Sequence, residues 1–184
     1  MGKYTLNKEN TILFVIDIQE KLTSVMKYKD QIINNTNILV TAAREMDLPI
    51  IITEQYPKGI GPTVTDIKET IDNNNAKIFE KNSFTAYIDG VKEALEATGR
   101  KKVIIVGMEA HICVFQTARD LIDNGYEVFI PRDAVCSRTK ENFENGLELM
   151  KDVGAVISNT ESVVFDLLKV SGTPEFKVLS KLIK

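Results

Sequence analysis

Residues 101–125, KKVIIVGMEAHICVFQTARDLIDNG, decide how the rest of the chain is read. Their VIIVG run (103–107) is apolar throughout and closed by a glycine, as a strand buried on both faces would be. From Cys113 the period changes: Val114, Ala118, Leu121 and Ile122 fall at helical spacing and mark one apolar face. Cys113 thus stands where a strand, a tight turn and a helix meet. A thiol in the first turn of a helix feels unpaired backbone N–H groups and the positive end of the macrodipole. That setting is expected to lower its pKa from about 8.5 towards neutrality, and thiolate is the reactive form. The other reading of Cys113 is a small buried hydrophobe, which is what most free cysteines are.

Outward from this segment, strands and helices alternate. TILFVID (11–17) reads as the first strand, followed by a helix over 29–46 with Ile32, Ile33, Leu39, Val40 and Ala43 facing inward. PIIIT (49–53) is the second strand. AKIFE (76–80) is the third, entered from the polar NNN run (73–75), with a helix near 89–97 behind it. Beyond the Cys113 helix come YEVFIP (126–131), a helix near 142–153, and AVIS (155–158). Six strands spaced by helices need crossover connections, and so a parallel sheet covered on both faces. The expected fold is α/β: a single Rossmann-like three-layer α/β/α domain over residues 1–184, with a six-stranded parallel sheet of order 3-2-1-4-5-6. Ligands in such sheets bind beyond the strand C-termini where the order reverses, here between strands one and four. Asp17 ends strand one and Cys113 follows strand four, so two reactive residues far apart in sequence should meet there.

Composition narrows the function classes. The chain has 184 residues, 43% hydrophobic, with mixed charges and a net charge of −3, which excludes a disordered or fibrous protein. No block of like charge exceeds a few residues, so no nucleic-acid partner is expected. Apolar stretches such as ILFVI are strand-sized, so no membrane span is expected either. MGKYTLNKEN lacks a signal-type apolar region and has no Ser or Thr at the sixth position for myristoylation. With two cysteines and no secretory signal, a reducing cytoplasmic location is expected, and Cys136 reads as a structural thiol. KGIGP (58–62) is a lone G-x-G without the dinucleotide fingerprint. No P-loop, HExxH or Cys-x-x-Cys motif is present, so no cofactor is expected.

Asp17 closes an otherwise continuous apolar run, where an ionised carboxylate is costly without a partner. It reads either as a capping or loop residue or as a general base to Cys113. A partly buried carboxylate beside a thiolate also needs a cation. Lys81, following AKIFE on the same rim, is the candidate; the alternative is an ordinary surface lysine.

These residues carry a resemblance. Asp17 and Gln19 in an apolar-D-x-Q motif, Lys81 after the third strand, and Cys113 in GMEAHICVFQTA resemble the isochorismatase-like cysteine hydrolase superfamily. TEQYPKGIGPTV, GYEVFIPRDAVCSR and NTESVVFDLL extend the resemblance over nearly the whole chain, to the subgroup of isochorismatase-domain hydrolases. It implies a triad that cleaves C–N bonds through a thioester-like intermediate, with Asp17 as base, Lys81 as electrostatic partner and Cys113 as nucleophile. It further implies a cis peptide at Met108–Glu109, with the Glu109 and Cys113 backbone N–H groups aimed at a developing oxyanion. The resemblance also implies homo-oligomers.

The departures matter as much. Nicotinamidases of the superfamily hold a metal through several histidines, whereas this chain has one, His111. One histidine cannot supply that site, so no metal is expected. Isochorismatases proper cleave a vinyl ether without needing a thiol, so Cys113 points to amide-type chemistry on a small-molecule substrate. His111, two residues before Cys113, reads as a structural or rim residue rather than a papain-like partner. Gln19, Gln55, Tyr56 and Phe84 are candidate pocket walls for a small planar substrate, with ordinary loop packing as the alternative. Phe176, Leu179, Leu182 and Ile183 form a helical stripe that packs on its own domain or docks on a neighbour. Two other functions stay open: a catalytically quiet member that binds a metabolite or protein, and a nucleic-acid-processing member, since some of this subgroup carry a ribonuclease label.

Overall fold

The computed structural model describes residues 4–71 and 76–183, so the NNN run lies outside the described residues. In chain order the strands are β1 (Thr11–Ile16), β2 (Ile50–Gln55), β3 (Ala76–Lys81), β4 (Lys102–Met108), β5 (Glu127–Pro131), β6 (Val135–Cys136) and β7 (Val156–Ser158). The helices are α1 (Glu20–Thr23), α2 (Lys29–Glu45), α3 (Pro57–Ile60), α4 (Thr65–Thr70), α5 (Asp89–Thr98), α6 (Phe115–Asp123), α7 (Lys140–Asp152), α8 (Thr160–Leu168) and α9 (Pro174–Leu182). A π-helical turn, Ala110–Val114, joins β4 to α6.

The sheet runs β3-β2-β1-β4-β5-β7 with every pairing parallel. This is the expected order with residues 156–158 as the last strand. A seventh strand was not expected: β6 pairs with the end of β4 through Gly107↔Val135 and Met108↔Cys136. Two residues are too few to show a period, so no sequence pattern announces it.

β1 and β4 lie at the centre and are buried at every position, which is why both read as unbroken apolar runs. One face packs against α2, α4, α8 and α9 through Ile32, Leu39, Val40, Ile67, Val164 and Leu179. The other packs against α5, α6 and α7 through Val91, Leu95, Ala118, Leu121, Leu147 and Met150. Burying each such side chain stabilises the fold by about 1.5–3 kcal/mol. Of the inward positions expected on α2, Ile33 is only half-buried, and Ile38 and Ala42 are buried in addition. The α9 stripe packs on its own domain through Leu179, leaving Leu182 exposed. Among the described residues no helix is long and apolar enough to cross a membrane.

Gly107 fixes how closely β4 approaches β1 at the end that matters. Its φ is +129°, and a Cβ there would lie 2.0 Å from the Ile16 carbonyl oxygen. Only glycine fits, so β1 can place Asp17 directly beside the turn that carries Cys113.

Candidate active site

The three strands β1, β3 and β4 end on one rim and deliver Asp17, Lys81 and the Cys113 turn. Asp17 follows β1 with a left-handed φ of +53°, turning its carboxylate back across the strand ends. Thr53 on β2 donates its hydroxyl to Asp17 Oδ1 at 2.8 Å, and the Asp17 N–H reaches the Thr53 carbonyl at 3.1 Å. The other oxygen, Oδ2, lies 2.7 Å from Lys81 Nζ, with both side chains wholly buried. The Lys81 ammonium also donates to Gln55 Oε1 at 2.6 Å and to the carbonyls of Ser83 and Phe84 at 3.1 and 3.2 Å. Four oxygens therefore surround a group with three protons, which compensates its removal from water.

Burial holds the Asp17 carboxyl above the ordinary carboxylate range, against the lowering pull of Lys81, then of Thr53 and Cys113. Cys113 departs from expectation. Burial first, and the Asp17 charge second, push its thiol up to about 12, while Lys81 and a backbone hydrogen bond from Glu109 pull it down. A helix end contributes only about 0.3–1 kcal/mol, less than one pKa unit, whereas burial can shift a group by 3–5 units. Burial wins, and the resting group is a thiol rather than a thiolate.

Cys113 does not sit in the first turn of α6 but within the preceding π-helical turn. The Met108–Glu109 peptide bond leading into it is cis. Glu109 is buried, and its Oε2 accepts from the Arg138 backbone N–H at 3.0 Å and from Arg138 Nε at 3.1 Å. His111 Nδ1 lies 3.0 Å from Ser137 Oγ. Both contacts tie the turn to the loop after β6. From behind, α7 reaches the same turn through Gly146, where a Cβ would lie 2.7–2.9 Å from backbone atoms of Ala110 and His111.

Gln19 and Gln55, both expected as pocket walls, bond to the backbone around Lys81. Gln19 is fully buried; its amide accepts from the Gln55 N–H at 2.7 Å and donates to the carbonyls of Gln55 and Gly61 at 2.9 and 2.6 Å. Gln55 in turn holds Lys81 with its oxygen and the Asn82 carbonyl with its nitrogen, at 3.0 Å. Tyr56 and Phe84 are more than half exposed on the loops beside Lys81. A cleft of about 480 Å³, walled by Tyr56, Pro57, Asn82 and Ile88, opens onto Lys81. A second, of about 640 Å³, lies across the loop after β6 and includes Tyr28, Cys136, Arg138 and Phe143. Cys136 is buried and free, the structural thiol expected. Among the described residues no three His, Cys, Asp or Glu side chains gather as metal ligands would.

Sequence reasoning missed Thr53 and Thr117. The signal for Thr53 was a lone hydroxyl in an apolar strand. For Thr117 it was its place four residues after Cys113, one helical turn further on.

With this geometry in place, comparison with known proteins is direct. The family model for the isochorismatase domain matches residues 11–162. The secreted isochorismatase effector Isc1 of Phytophthora sojae is 38% identical over 178 residues, covering 95% of this chain and 85% of Isc1. Among solved structures, the MAR1 ribonuclease of Caenorhabditis elegans superposes with a TM-score of 0.93 at 40% identity, covering 97% of this chain and 92% of that one. The YcaC gene product of Escherichia coli, described as an octameric hydrolase of unknown specificity, shares the fold at TM-score 0.91 and 24% identity, covering 99% and 92%. The chain belongs to the isochorismatase family and is a hydrolase.

Proposed function

We propose that the protein hydrolyses a small amide, carbamoyl or related C–N substrate through an acyl-enzyme on Cys113. The observation that carries this reading is the buried Asp17–Lys81 pair set against the Cys113 thiol. A carboxylate beside a thiol whose pKa is raised serves as a base that acts during attack, rather than one that stores a thiolate beforehand. As Sγ bonds to the substrate carbonyl carbon, its proton passes to Asp17, and the carbonyl π electrons move to oxygen. The Glu109 and Cys113 backbone N–H groups donate hydrogen bonds to that oxyanion. Collapse breaks the C–N bond, and Asp17 returns the proton to the departing nitrogen. Water then attacks the thioester, gives its proton to Asp17, and releases the acid as Cys113 regains its hydrogen. Lys81 offsets the Asp17 charge throughout. No metal or cofactor enters these steps.

The test is turnover of a panel of small amides and carbamoyl compounds by wild type and Cys113→Ala. Loss of at least a thousandfold in the variant, with an unchanged melting temperature, is expected. A variant as active as wild type overturns the reading. No turnover of any compound while Cys113 still alkylates would favour a catalytically quiet, metabolite- or protein-binding member.

A second reading comes from the Caenorhabditis elegans relative, described as a ribonuclease and 40% identical. The net charge of −3 and lack of a basic run weigh against RNA as substrate. RNA cleavage that persists through purification and disappears in Cys113→Ala would support it.

The reading includes a cytoplasmic setting, supported by two free buried thiols, and a homo-oligomer, supported by the octameric Escherichia coli protein. Light scattering that returned only the 20.6 kDa protomer would remove the oligomer from it.

A further inference from the structure

We propose that Thr117 is a positioning residue that couples Lys81 to Cys113 through one hydroxyl group. The inference rests on the reading of Cys113 as nucleophile and names what holds its partner in place.

Thr117 is fully buried on the first turn of α6. Its Oγ1 donates to the Cys113 carbonyl at 2.6 Å. On its own that bond is a common helical habit, a hydroxyl reaching back four residues. The second bond is not local: the same oxygen accepts from the Ala86 N–H at 2.8 Å, across 31 positions of sequence. Ala86 belongs to the loop that leaves β3 after Lys81. Ser83 and Phe84 in that loop supply two of the four oxygens around the Lys81 ammonium. The loop is tightened internally, since Ser83 Oγ donates to the Thr85 carbonyl and the Tyr87 N–H to Thr85 Oγ1, at 2.8 and 3.1 Å. One end of it is pinned by β3. The other is pinned by Thr117, on the backbone of the nucleophile turn itself.

The consequence is geometric. Lys81 holds its place partly through carbonyls whose loop is fastened to Cys113. Removing the hydroxyl frees that loop from the turn and leaves the Cys113 carbonyl and the Ala86 N–H buried without this partner. The ammonium, which favours the charged forms of both Asp17 and Cys113, is then held less firmly in its place. Thr117 touches neither substrate nor reacting atom; it acts through Lys81.

The experiment is the rate of Cys113 alkylation by iodoacetamide at pH 9, read by peptide mass, which needs no substrate. Thr117→Val should slow alkylation about tenfold, the equivalent of one pKa unit in the thiol. Thr117→Ser, which keeps both bonds, should stay within twofold of wild type. In a Lys81→Met background, Thr117→Val should change the rate by less than twofold, because the group it positions is gone. A merely structural residue would slow alkylation equally in both backgrounds, and that result overturns the proposal. So does a Thr117→Ser variant as slow as Thr117→Val. Should Thr117→Val fail to fold, Thr117→Ala makes the same comparison, its smaller side chain leaving room for water. Failure of amide turnover to depend on Cys113 would sink the proposed function and leave this alkylation comparison untouched.

Discussion

Asp17 Oδ2 and Lys81 Nζ stand 2.7 Å apart with neither side chain exposed, and both charges act on the Cys113 thiol. A buried pair of this kind is weak evidence for stability, since removing two ions from water offsets their attraction. Under the proposed mechanism it keeps a base and its counter-charge beside a protonated thiol.

Asp17→Asn separates base function from thiol reactivity, because its two effects run in opposite directions. Turnover should fall by about 10²–10⁴, the usual contribution of a general base. The thiol pKa should fall as well, because the Asp17 charge is among the causes that raise it. Iodoacetamide should therefore alkylate the variant faster than wild type at pH 8. Slower alkylation, or retained turnover, would contradict the assigned role.

Stability should decline as pH rises from about 9 to about 12. Cys113 and Cys136 are both pushed up to about 12 by burial, against an ordinary thiol value of 9.0. Over that window the folded chain keeps protons that the unfolded chain has released, so the slope is negative. Each thiol contributes up to about 1.4 kcal/mol per pH unit. Denaturant titrations of Cys136→Ala should show a shallower alkaline slope than wild type; an equal slope refutes the assignment.

Gly146→Ala should lower the melting temperature and turnover together. The added methyl meets Ala110 and His111 backbone atoms at 2.7–2.9 Å, so α7 must move away from the nucleophile turn. Overpacking of this kind costs about 1–3 kcal/mol. A variant with wild-type melting and wild-type rate would show that the α7 contact does not hold the turn.

Lys81→Met should abolish turnover and shift Asp17 further from the charged state, because its nearest cation and one of its hydrogen bonds are lost. Any residual rate should then rise with pH across a range where wild type is flat. A pH profile parallel to that of wild type would show that Lys81 does not set the charge of Asp17.

The alternation of strands and helices was legible because two buried central strands leave unbroken apolar runs and each crossover helix leaves its own period. Asp17 and Cys113 were legible because each follows such a run where the strand order reverses, and Lys81 because it ends β3 on the same rim. β6 was not, since two residues carry no period. Gln19 and Gln55 read as pocket walls because polar residues on rim loops look alike from sequence; only their backbone partners at positions 55, 61 and 82 reveal a frame. Thr117 was hidden for the same reason, its second partner lying 31 residues away.

The sequence by itself determined the alternation of strands and helices and the rim at the strand C-termini, because these follow from local periodicity and chain connectivity. The tertiary structure alone decided the state of the Cys113 thiol. Helix-end position argued for a lowered thiol pKa, but pKa depends on how much water surrounds a group and which charges face it, and those are set by parts of the chain far apart in sequence. In this protein burial and Asp17 outweigh the helix end, and Cys113 rests as a thiol.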